Sequence, residues 1–286
     1  MVERVDLNKF GYITRDADEL FVRVLLSQEN GIRAGLISGA PGVGKTFLAR
    51  TLAKAIGAEF IYFLAHHWVS EEDLFVKVDP ARVAGLAGGA FEEVEEAYRP
   101  GVLLRAALAS QEHDVVLLLD EWDKSPERAD ALLLEFLQTG RVIGPFGETW
   151  EADPRRLIVI ITDNSIRSLS EPLLRRVYRY RMGFLPPKVE ADLIRKATGA
   201  AAGVCRAIVA MMTEIRQRGA SSPSIQEGIR LAEALPLAKD ADDVRLLIQG
   251  FLVKEPLDEE ALRFLFGDRY EAVLWGEYKR SKSKRR

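Results

Sequence analysis

The sequence predicts an α/β protein with a parallel sheet covered by helices on both faces, followed by a small all-helical domain. Short apolar runs alternate with helical periodicity up to Pro186-Pro187, and beyond this double proline the apolar spacing is helical throughout. Buried strands that alternate with helices form parallel sheets covered on both faces. We therefore expect a five-stranded sheet within an α/β domain at 1–187, a helical domain at 188–275 and a basic, disordered tail at 276–286.

The individual elements follow from the apolar periodicity. A first helix begins near Asp16, with Glu19 as the capping partner three residues later. Runs with the length of buried strands, the last of them an edge strand, are AGLIS (34–38), EFIYFL (59–64), VVLLL (115–119), LIVIIT (157–162) and VYRYRM (177–182). Helical spacing follows the first and third runs. In the helical domain, Gly199, Gly219 and Gly267 mark helix ends.

Composition limits the class of protein. The 286 residues carry a formal charge of −3, which disfavours a globally basic nucleic-acid binder. Cys205 is the only cysteine, so an internal disulfide and a cysteine metal cluster are excluded. The N-terminal sequence lacks the apolar core of a signal peptide, and no apolar run reaches the length of about 18 residues that a membrane span needs. We expect a soluble, cytoplasmic protein.

A phosphate-binding motif lies between the first strand and its helix. Residues 39–46, GAPGVGKT, match the pattern G-x-x-x-x-G-K-S/T in full. Such a loop directs backbone N–H groups at phosphate oxygens, Lys45 reaches the β- and γ-phosphates, and Thr46 offers its hydroxyl to Mg²⁺. The alternative, a glycine turn before an ordinary helix, is disfavoured by the strand–loop–helix context. The residues expected to bind nucleotide here are Gly39, Ala40, Pro41, Gly42, Val43, Gly44, Lys45, Thr46 and Phe47.

Two acidic residues follow the apolar run VVLLL directly. Burying a bare carboxylate costs several kcal/mol unless donors or a cation meet it, on the order of the known penalties for buried ions. Asp120 at the end of a buried strand beside a phosphate loop therefore indicates a Mg²⁺ ligand acting through the water shell of the ion. Glu121 is then placed to orient or deprotonate the attacking water. The alternative is a solvated strand end that leads into a helix.

Together these motifs resemble the AAA+ ATPases, and within them the branch with MoxR-like and McrB-like proteins. The resemblance rests on GAPGVGKT, on LLLDEWDKSPERADALLLEFLQTGRV, on a strand ending in Asn164 and on LSEPLLRRVY. It implies that Asn164 is sensor 1, which positions the water or the γ-phosphate. It also implies that Arg176, or else Arg175, is the arginine finger of the neighbouring subunit's site. Sensor 2 is either Arg230, in a shifted register, or missing, because Ser222-Pro223 is not followed by arginine.

Two segments match insertions of that branch. Residues 140–152 alternate on both sides of a glycine-rich centre, as a hairpin would. Residues 79–97 resemble a loop that faces the pore of a ring, with Leu86 and Phe91 as gripping side chains; a flexible surface loop is an equal alternative. His66, His67 and His113 lack the partners of a metal site, so Mg²⁺ is the only metal expected.

The sequence therefore predicts a Mg²⁺-dependent ATPase of the AAA+ type with a helical lid domain. By resemblance, it acts as a ring of copies, expected to be a hexamer, and remodels an unidentified protein substrate or adaptor. The resemblance to MoxR-like proteins also implies that it works beside a metal-dependent adhesion-type protein. One alternative is a nucleic-acid motor or restriction-type subunit that uses ATP or, as McrB-like proteins do, GTP. The basic residues 279–286 and the hairpin at 140–152 allow it, and the charge of −3 disfavours it. Another alternative is a nucleotide switch without turnover, against which Glu121 and Arg176 argue.

Overall fold

A computed structural model describes residues 5–79, 98–144 and 147–283. The chain divides into two compact units. The N-terminal unit consists of Met1–Gly39 and Gly44–Met182, and the C-terminal unit consists of Ala40–Val43 and Gly183–Arg286. The sequence-based domain limits at 187 and 275 stay a prediction. Among the described residues, no helix combines the length and the apolar character that crossing a bilayer requires.

The N-terminal unit is built on a parallel sheet. Its strands, together with those of two small hairpins, are β1 Arg33–Ser38, β2 Glu59–Leu64, β3 Val76–Val78, β4 Tyr98–Pro100, β5 Val115–Asp120, β6 Arg141–Ile143, β7 Thr149–Glu151, β8 Leu157–Asp163 and β9 Tyr178–Arg181. The five-stranded sheet has the order β2-β5-β8-β1-β9, and all its neighbouring strands are parallel. The predicted five-stranded parallel sheet is confirmed, with VYRYRM as an edge strand.

Burial along each strand follows its place in the sheet. Every residue of β5 and β8 is buried, because these strands have a partner on both sides and helices on both faces. The edge strand β2 buries only Ile61 fully. The register pairs Leu64 with Asp120 and Ser38 with Asp163. The carboxyl ends of β1, β2, β5 and β8 therefore reach the same edge of the sheet.

Helices cover both faces of this sheet. The helices of the N-terminal unit are α1 Asp16–Leu26, α2 Lys45–Ile56, α3 Glu71–Leu74, α4 Val102–Glu112, α5 Arg128–Thr139 and α6 Glu171–Leu174. On one face, α4 and α5 bury Leu103, Leu133 and Phe136 against β5 and β8. On the other, α1 contacts β1 and β9, and α2 contacts β5 and β8. The predicted α/β architecture, a parallel sheet with helices on both faces, is confirmed.

The start of α1 corrects one detail of the sequence analysis. The N-cap is Arg15, whose backbone N–H donates a hydrogen bond to the carboxylate of Asp18 at 2.9 Å. Asp18 rather than Glu19 is therefore the capping carboxylate. Asp18 is wholly buried and also accepts hydrogen bonds from the hydroxyls of Tyr12 at 3.0 Å and Tyr180 at 2.5 Å. The prediction of Glu19 as the capping partner was wrong because the N-cap lies one residue before Asp16. Asp18 therefore occupies the third helical position.

The N-terminal unit also contains two antiparallel strand pairs. Strands β6 and β7 pair between Arg141 and Glu151, which confirms the hairpin expected at 140–152. The tip residues 145 and 146 lie outside the described residues, as do Leu86 and Phe91 of the expected pore loop. Strands β3 and β4 pair on either side of that segment.

The C-terminal unit is helical over its described residues. Its helices are α7 Pro187–Thr198, α8 Ala202–Arg218, α9 Ile225–Ala234, α10 Ala241–Phe251, α11 Pro256–Phe266 and α12 Glu271–Ser283. Gly199, Gly219 and Gly267 follow the ends of α7, α8 and α11, as the sequence predicts. The helices share an apolar core that includes Ile208, Met211, Leu231, Ile248 and Leu274.

The predicted disordered tail is wrong for residues 276–283, which continue α12. Leu274 is fully buried and Tyr278 nearly so, one turn apart on the same side of α12. The ammonium groups of Lys279 and Lys282 lie over the rings of Trp275 and Tyr278. The charges dominate the composition of this segment, but two apolar anchors at helical spacing suffice to pack it. Residues 284–286 lie outside the described residues.

Candidate active site

Three strand ends bring the predicted site residues to one edge of the sheet. The phosphate loop follows β1, the acidic pair closes β5, and Asn164 follows β8, which lies between β1 and β5. Gly39 N–H donates to the carbonyl of Asp163 at 3.2 Å, which joins the start of the loop to the end of β8. Chain segments that are distant in sequence thus meet because of the strand order.

The loop ends in Gly44, whose backbone conformation is unfavourable for residues with a side chain. Gly44 is the N-cap of α2 and has a φ of 107°, in the region that favours glycine. The first N–H groups of an α-helix have no carbonyl partner within the helix and can receive an anion, and Gly44 leads the loop into that first turn of α2. Phe47, in the first turn of α2, is half exposed, and its ring lies 5.5 Å from that of Tyr12.

Lys45 is buried at the centre of the site. Its ammonium donates to the carbonyl of Gly39 at 2.5 Å and to Oδ1 of Asn164 at 2.6 Å. Burial lowers the pKa of Lys45 below its ordinary value, while Asp120 and further carboxylates act in the opposite direction. The predicted phosphate-binding lysine and the predicted sensor 1 asparagine are therefore in direct contact.

Glu121 is fixed at both its backbone and its side chain. Its φ of 54° is unusual for a residue other than glycine, and its N–H donates to Oγ1 of Thr162 at 2.8 Å. The side chain accepts from Nδ2 of Asn164 at 3.1 Å and from the ammonium of Lys124 at 2.5 Å. The hydrogen bond to Glu121 raises the pKa of Lys124. Strained backbone of this kind persists where the surroundings over-determine it, as these three polar contacts do here.

Asp120 is nearly buried and accepts hydrogen bonds from three hydroxyl groups. Thr162 donates to Oδ1 at 2.5 Å, and Tyr62 donates to Oδ2 at 3.2 Å. Oγ1 of Thr46 lies 3.2 Å from Oδ1 and 3.0 Å from Oδ2. Burial and the neighbouring Asp120 raise the pKa of Tyr62. These donors satisfy the buried carboxylate without cancelling its charge.

This donor set fits a magnesium ion that is completed by phosphate oxygens and water. Mg²⁺ usually takes one or two carboxylates and keeps the rest of its octahedron for substrate and water. Thr46 can keep its proton on Asp120 and still offer an oxygen lone pair to the ion. Within the described parts of the chain there is no group of three or more His, Cys, Asp or Glu residues that could hold a metal alone. A site of Thr46 and Asp120 would therefore depend on nucleotide for its remaining ligands.

The three arginines expected to act at the site, Arg175, Arg176 and Arg230, are all exposed. Arg175 is exposed, and its guanidinium is 3.1 Å from Glu171 in an ion pair. Arg176 is exposed after α6 and lines a cavity of about 250 Å³ with Glu29, among other residues of the same unit. None of the residues at the carboxyl edge of the sheet lines that cavity. Arg230 is an exposed residue of α9 in the C-terminal unit.

The structure adds site residues that sequence reasoning missed. Tyr62, Thr162 and Lys124 contact the two acids directly, as described above. Asp123, also nearly buried, accepts hydrogen bonds through Oδ2 from the N–H groups of Asn164 at 3.0 Å and Ile166 at 2.8 Å. Asp123 could have been noticed as an acid next to the apolar strand end.

Comparisons with known proteins place the chain in a family. A family model described as the AAA domain, dynein-related subfamily, matches residues 35–177, half of the chain. The uncharacterized protein YeaC of Bacillus subtilis is 31% identical over 168 residues, which cover 56% of this chain and 45% of YeaC. Lon protease 2 of Borreliella burgdorferi is 29% identical over 146 residues, covering 49% of this chain and 16% of that protease.

The matched part thus spans less than half the length of either relative. A solved structure of a RuvB mutant from Thermotoga maritima is 14% identical, with a TM-score of 0.49, and the match covers 93% of this chain and 75% of that one. The family model includes the phosphate loop, the acidic pair, Asn164 and Arg176. On that match, the chain belongs to the dynein-related subfamily of AAA domains and so to the AAA+ ATPase family.

Proposed function

We propose that this chain is a Mg²⁺-dependent ATPase. It works as a ring of its own copies, which we expect to be a hexamer, and it remodels a protein partner in the manner of MoxR-like proteins. One observation carries the catalytic part of this proposal. Lys45, Asn164 and Glu121 form a continuous chain of hydrogen bonds beside the Thr46–Asp120 pair. Groups for binding phosphate, holding a metal and activating water are thereby adjacent.

Substrate binding uses the loop at 39–46 and the first turn of α2. Backbone N–H groups and the ammonium of Lys45 bind the phosphate oxygens of ATP, and a γ-phosphate would compete with Asn164 for that ammonium. Because Lys45 is largely removed from water, its interaction with phosphate is stronger than that of an exposed lysine. Asn164 would then be free to orient the water or the terminal phosphate.

Hydrolysis follows as an in-line attack of water on the γ-phosphorus. A new P–O bond forms, the bond from the γ-phosphorus to the bridging oxygen breaks, and the water proton passes to the carboxylate of Glu121. Thr46 and Asp120 would hold Mg²⁺, which neutralises charge on the phosphates when it is bound. ADP leaves with the bridging oxygen and its electron pair, and inorganic phosphate with the oxygen of the water.

We propose a ring because an arginine is expected to enter the active site from a neighbouring copy of the chain. Arg176 is exposed and follows the short helix α6, and a guanidinium presents a rigid fork of donors that suits phosphate oxygens. A guanidinium that enters a phosphoryl-transfer site from outside contributes about 10³–10⁵ in rate. The protein partner is inferred from the resemblance to MoxR-like proteins alone.

Two variants test the catalytic proposal directly. Lys45→Ala should lose ATP binding, whereas Glu121→Gln should bind ATP and hydrolyse it at least a hundredfold more slowly, on the order of the contribution of general-base catalysis. Lys54→Ala, at an exposed position near the other end of α2, is the control and should behave as the unmodified chain. Retained ATP affinity in Lys45→Ala, or normal turnover in Glu121→Gln, would contradict the assignment.

Light scattering of Glu121→Gln tests the ring. In saturating ATP and Mg²⁺ we expect a mass of about six chains, and a monomer under these conditions would refute the ring.

A further inference from the structure

The carboxylate of Asp120 lies between two flanking strands, and each strand contributes one hydroxyl to it. Strand β5 is hydrogen-bonded to β2 on one side and to β8 on the other. Thr162 of β8 donates to Oδ1, and Tyr62 of β2 donates to Oδ2. Thr46 of the phosphate loop approaches both oxygens. The Thr46 contact is explained by the expected metal site, in which Thr46 is itself a ligand. The contact with Tyr62 is not explained in that way.

The register explains how an edge-strand tyrosine reaches the end of β5. Leu64 pairs with Asp120, and Tyr62 is two residues earlier on β2, so both side chains of β2 lie on the same face of the sheet. The phenol is long enough to extend along that face from Tyr62 to the carboxylate. A shorter hydroxyl residue at position 62 would leave Oδ2 with Thr46 as its remaining hydroxyl donor.

The orientation of the carboxylate depends on such donors. The terminal torsion of an aspartate is broad, so its backbone position alone does not fix the plane of its two oxygens. Thr162 restrains Oδ1 from one side and Tyr62 restrains Oδ2 from the other. Ligating carboxylates in metal sites are commonly held in this way, and loss of one such outer partner costs about 10–100-fold in metal affinity or activity.

We propose that Tyr62 is a positioning residue, which orients Asp120 for Mg²⁺ through its hydroxyl group. The inference rests on the proposed function of Asp120 as the metal carboxylate. It assigns to Tyr62 no contact with the ion and no part in proton transfer. Its effect should therefore appear in the Mg²⁺ requirement and not in the affinity for nucleotide without metal.

The surroundings of Tyr62 allow its hydroxyl to be removed without loss of packing. The ring is stacked near that of Phe60, with a centroid distance of 6.5 Å, and the guanidinium of Arg50 lies 4.7 Å from the Phe60 centroid. Tyr62 is 42% exposed, so Tyr62→Phe opens no cavity in the core. Water can also reach the vacated position, which places the expected effect at the low end of the range above, about tenfold.

Tyr180 provides a matched control in the same unit. Its hydroxyl also donates to an aspartate, Asp18, at 2.5 Å, but that carboxylate caps α1 and lies outside the proposed metal site. Tyr180→Phe therefore removes a hydrogen bond of the same chemistry. It should affect thermal stability and leave the Mg²⁺ dependence of the protein unchanged.

The experiment measures binding of a fluorescent ATP analogue to the 286-residue chain across a range of Mg²⁺ concentrations and in EDTA. For Tyr62→Phe we expect the half-saturating Mg²⁺ concentration to rise about tenfold, with unchanged affinity in EDTA. Unchanged Mg²⁺ dependence would overturn the inference while leaving the ATPase proposal intact, and so would an equal loss of affinity in EDTA. If the unmodified chain bound the analogue without any Mg²⁺ dependence, both this inference and the proposed metal site would fall.

Discussion

The substitution Asp258→Asn should destabilise the C-terminal unit through a single buried carboxylate. Asp258 is fully buried and accepts four backbone hydrogen bonds. Oδ1 accepts from the N–H groups of Ala220 at 2.8 Å and Ser221 at 2.9 Å. Oδ2 accepts from those of Lys254 at 2.9 Å and Glu255 at 3.0 Å. One side chain thus joins the end of α8 to the start of α11.

The size of the effect follows from these contacts. An asparagine offers one oxygen, so two of the four N–H groups would face an amide nitrogen and lose their acceptor. A polar group left without a partner costs about 1–3 kcal/mol. Lys254 and Glu255 are exposed residues at the surface of the unit, so we take the lower value for each of the two N–H groups. We expect the free energy of unfolding to fall by about 2 kcal/mol at pH 7.

The loss should also depend on pH. Burial alone would raise the pKa of Asp258, but hydrogen bonds from the backbone of Lys254, Ser221 and Glu255 outweigh it and lower the pKa. A carboxyl group with a lowered folded-state pKa contributes stability that is complete above its unfolded pKa, about 3.9, and is lost as the pH falls through the folded value. Asparagine does not titrate. The difference between the two proteins should therefore be constant from pH 8 to about 5 and should shrink below about pH 4.

Native-state hydrogen exchange of peptides from α8 and α11 measures this difference within the intact chain. Asp240→Asn is the control, because Asp240 caps α10 through a single bond to the N–H of Asp243 and asparagine caps helices equally well. The control should change the free energy of opening by less than about 0.5 kcal/mol. Equal exchange in both variants, or a loss for Asp258→Asn that persists undiminished at pH 3.5, would refute the reasoning.

Two further predictions concern the neighbouring subunit and the C-terminal helix. Arg176→Ala should lower ATP turnover about 10³-fold, and mixing it with Glu121→Gln should restore part of the rate because some interfaces then combine two intact partners. Arg175→Ala, at the alternative finger position, breaks only an exposed ion pair and should keep its turnover if Arg176 is the finger. Absence of recovery at every mixing ratio would exclude action in trans. Leu274→Ala should reduce the free energy of unfolding by about 2–5 kcal/mol, compared with less than about 0.5 for the partly exposed Val273→Ala, as measured by urea denaturation. Similar small effects at both positions would mean that α12 does not pack as described.

The sequence predicted those features that depend on local pattern. Runs of buried residues identified the strands of the parallel sheet, and the glycine-lysine motif between β1 and α2 identified the phosphate loop. The errors arose where long-range packing outweighs local composition. At the C-terminus, Leu274 and Tyr278 pack a segment whose charges suggested disorder. At α1, a cap one residue earlier than expected gave the capping position to Asp18, whose burial depends on Tyr12 and Tyr180.

The partners of the acidic pair could not be predicted, because they depend on strand order and register. Tyr62 meets Asp120 only if β2 is the strand next to β5, and a shift of one residue would turn its ring to the other face. Thr162 is one of several polar residues near the end of β8 until the β5–β8 pairing is known. Lys124 lies within the DEWDK sequence, but its contact with Glu121 forms across a turn that begins with the left-handed backbone of Glu121.

The chemistry of these partners explains how two acids can end a fully buried strand and still serve a metal-dependent reaction. The hydroxyls of Thr46, Tyr62 and Thr162 satisfy the oxygens of Asp120 but bring no positive charge, so the field that attracts a divalent cation is retained. Glu121 is instead paired with the ammonium of Lys124, which stabilises a second negative charge next to the first. Had an ammonium been bonded to Asp120 in the same way, a metal ion would have to displace it. Uncharged donors on one acid and a charged donor on the other thus separate the residue expected to hold the metal from the residue expected to accept the proton.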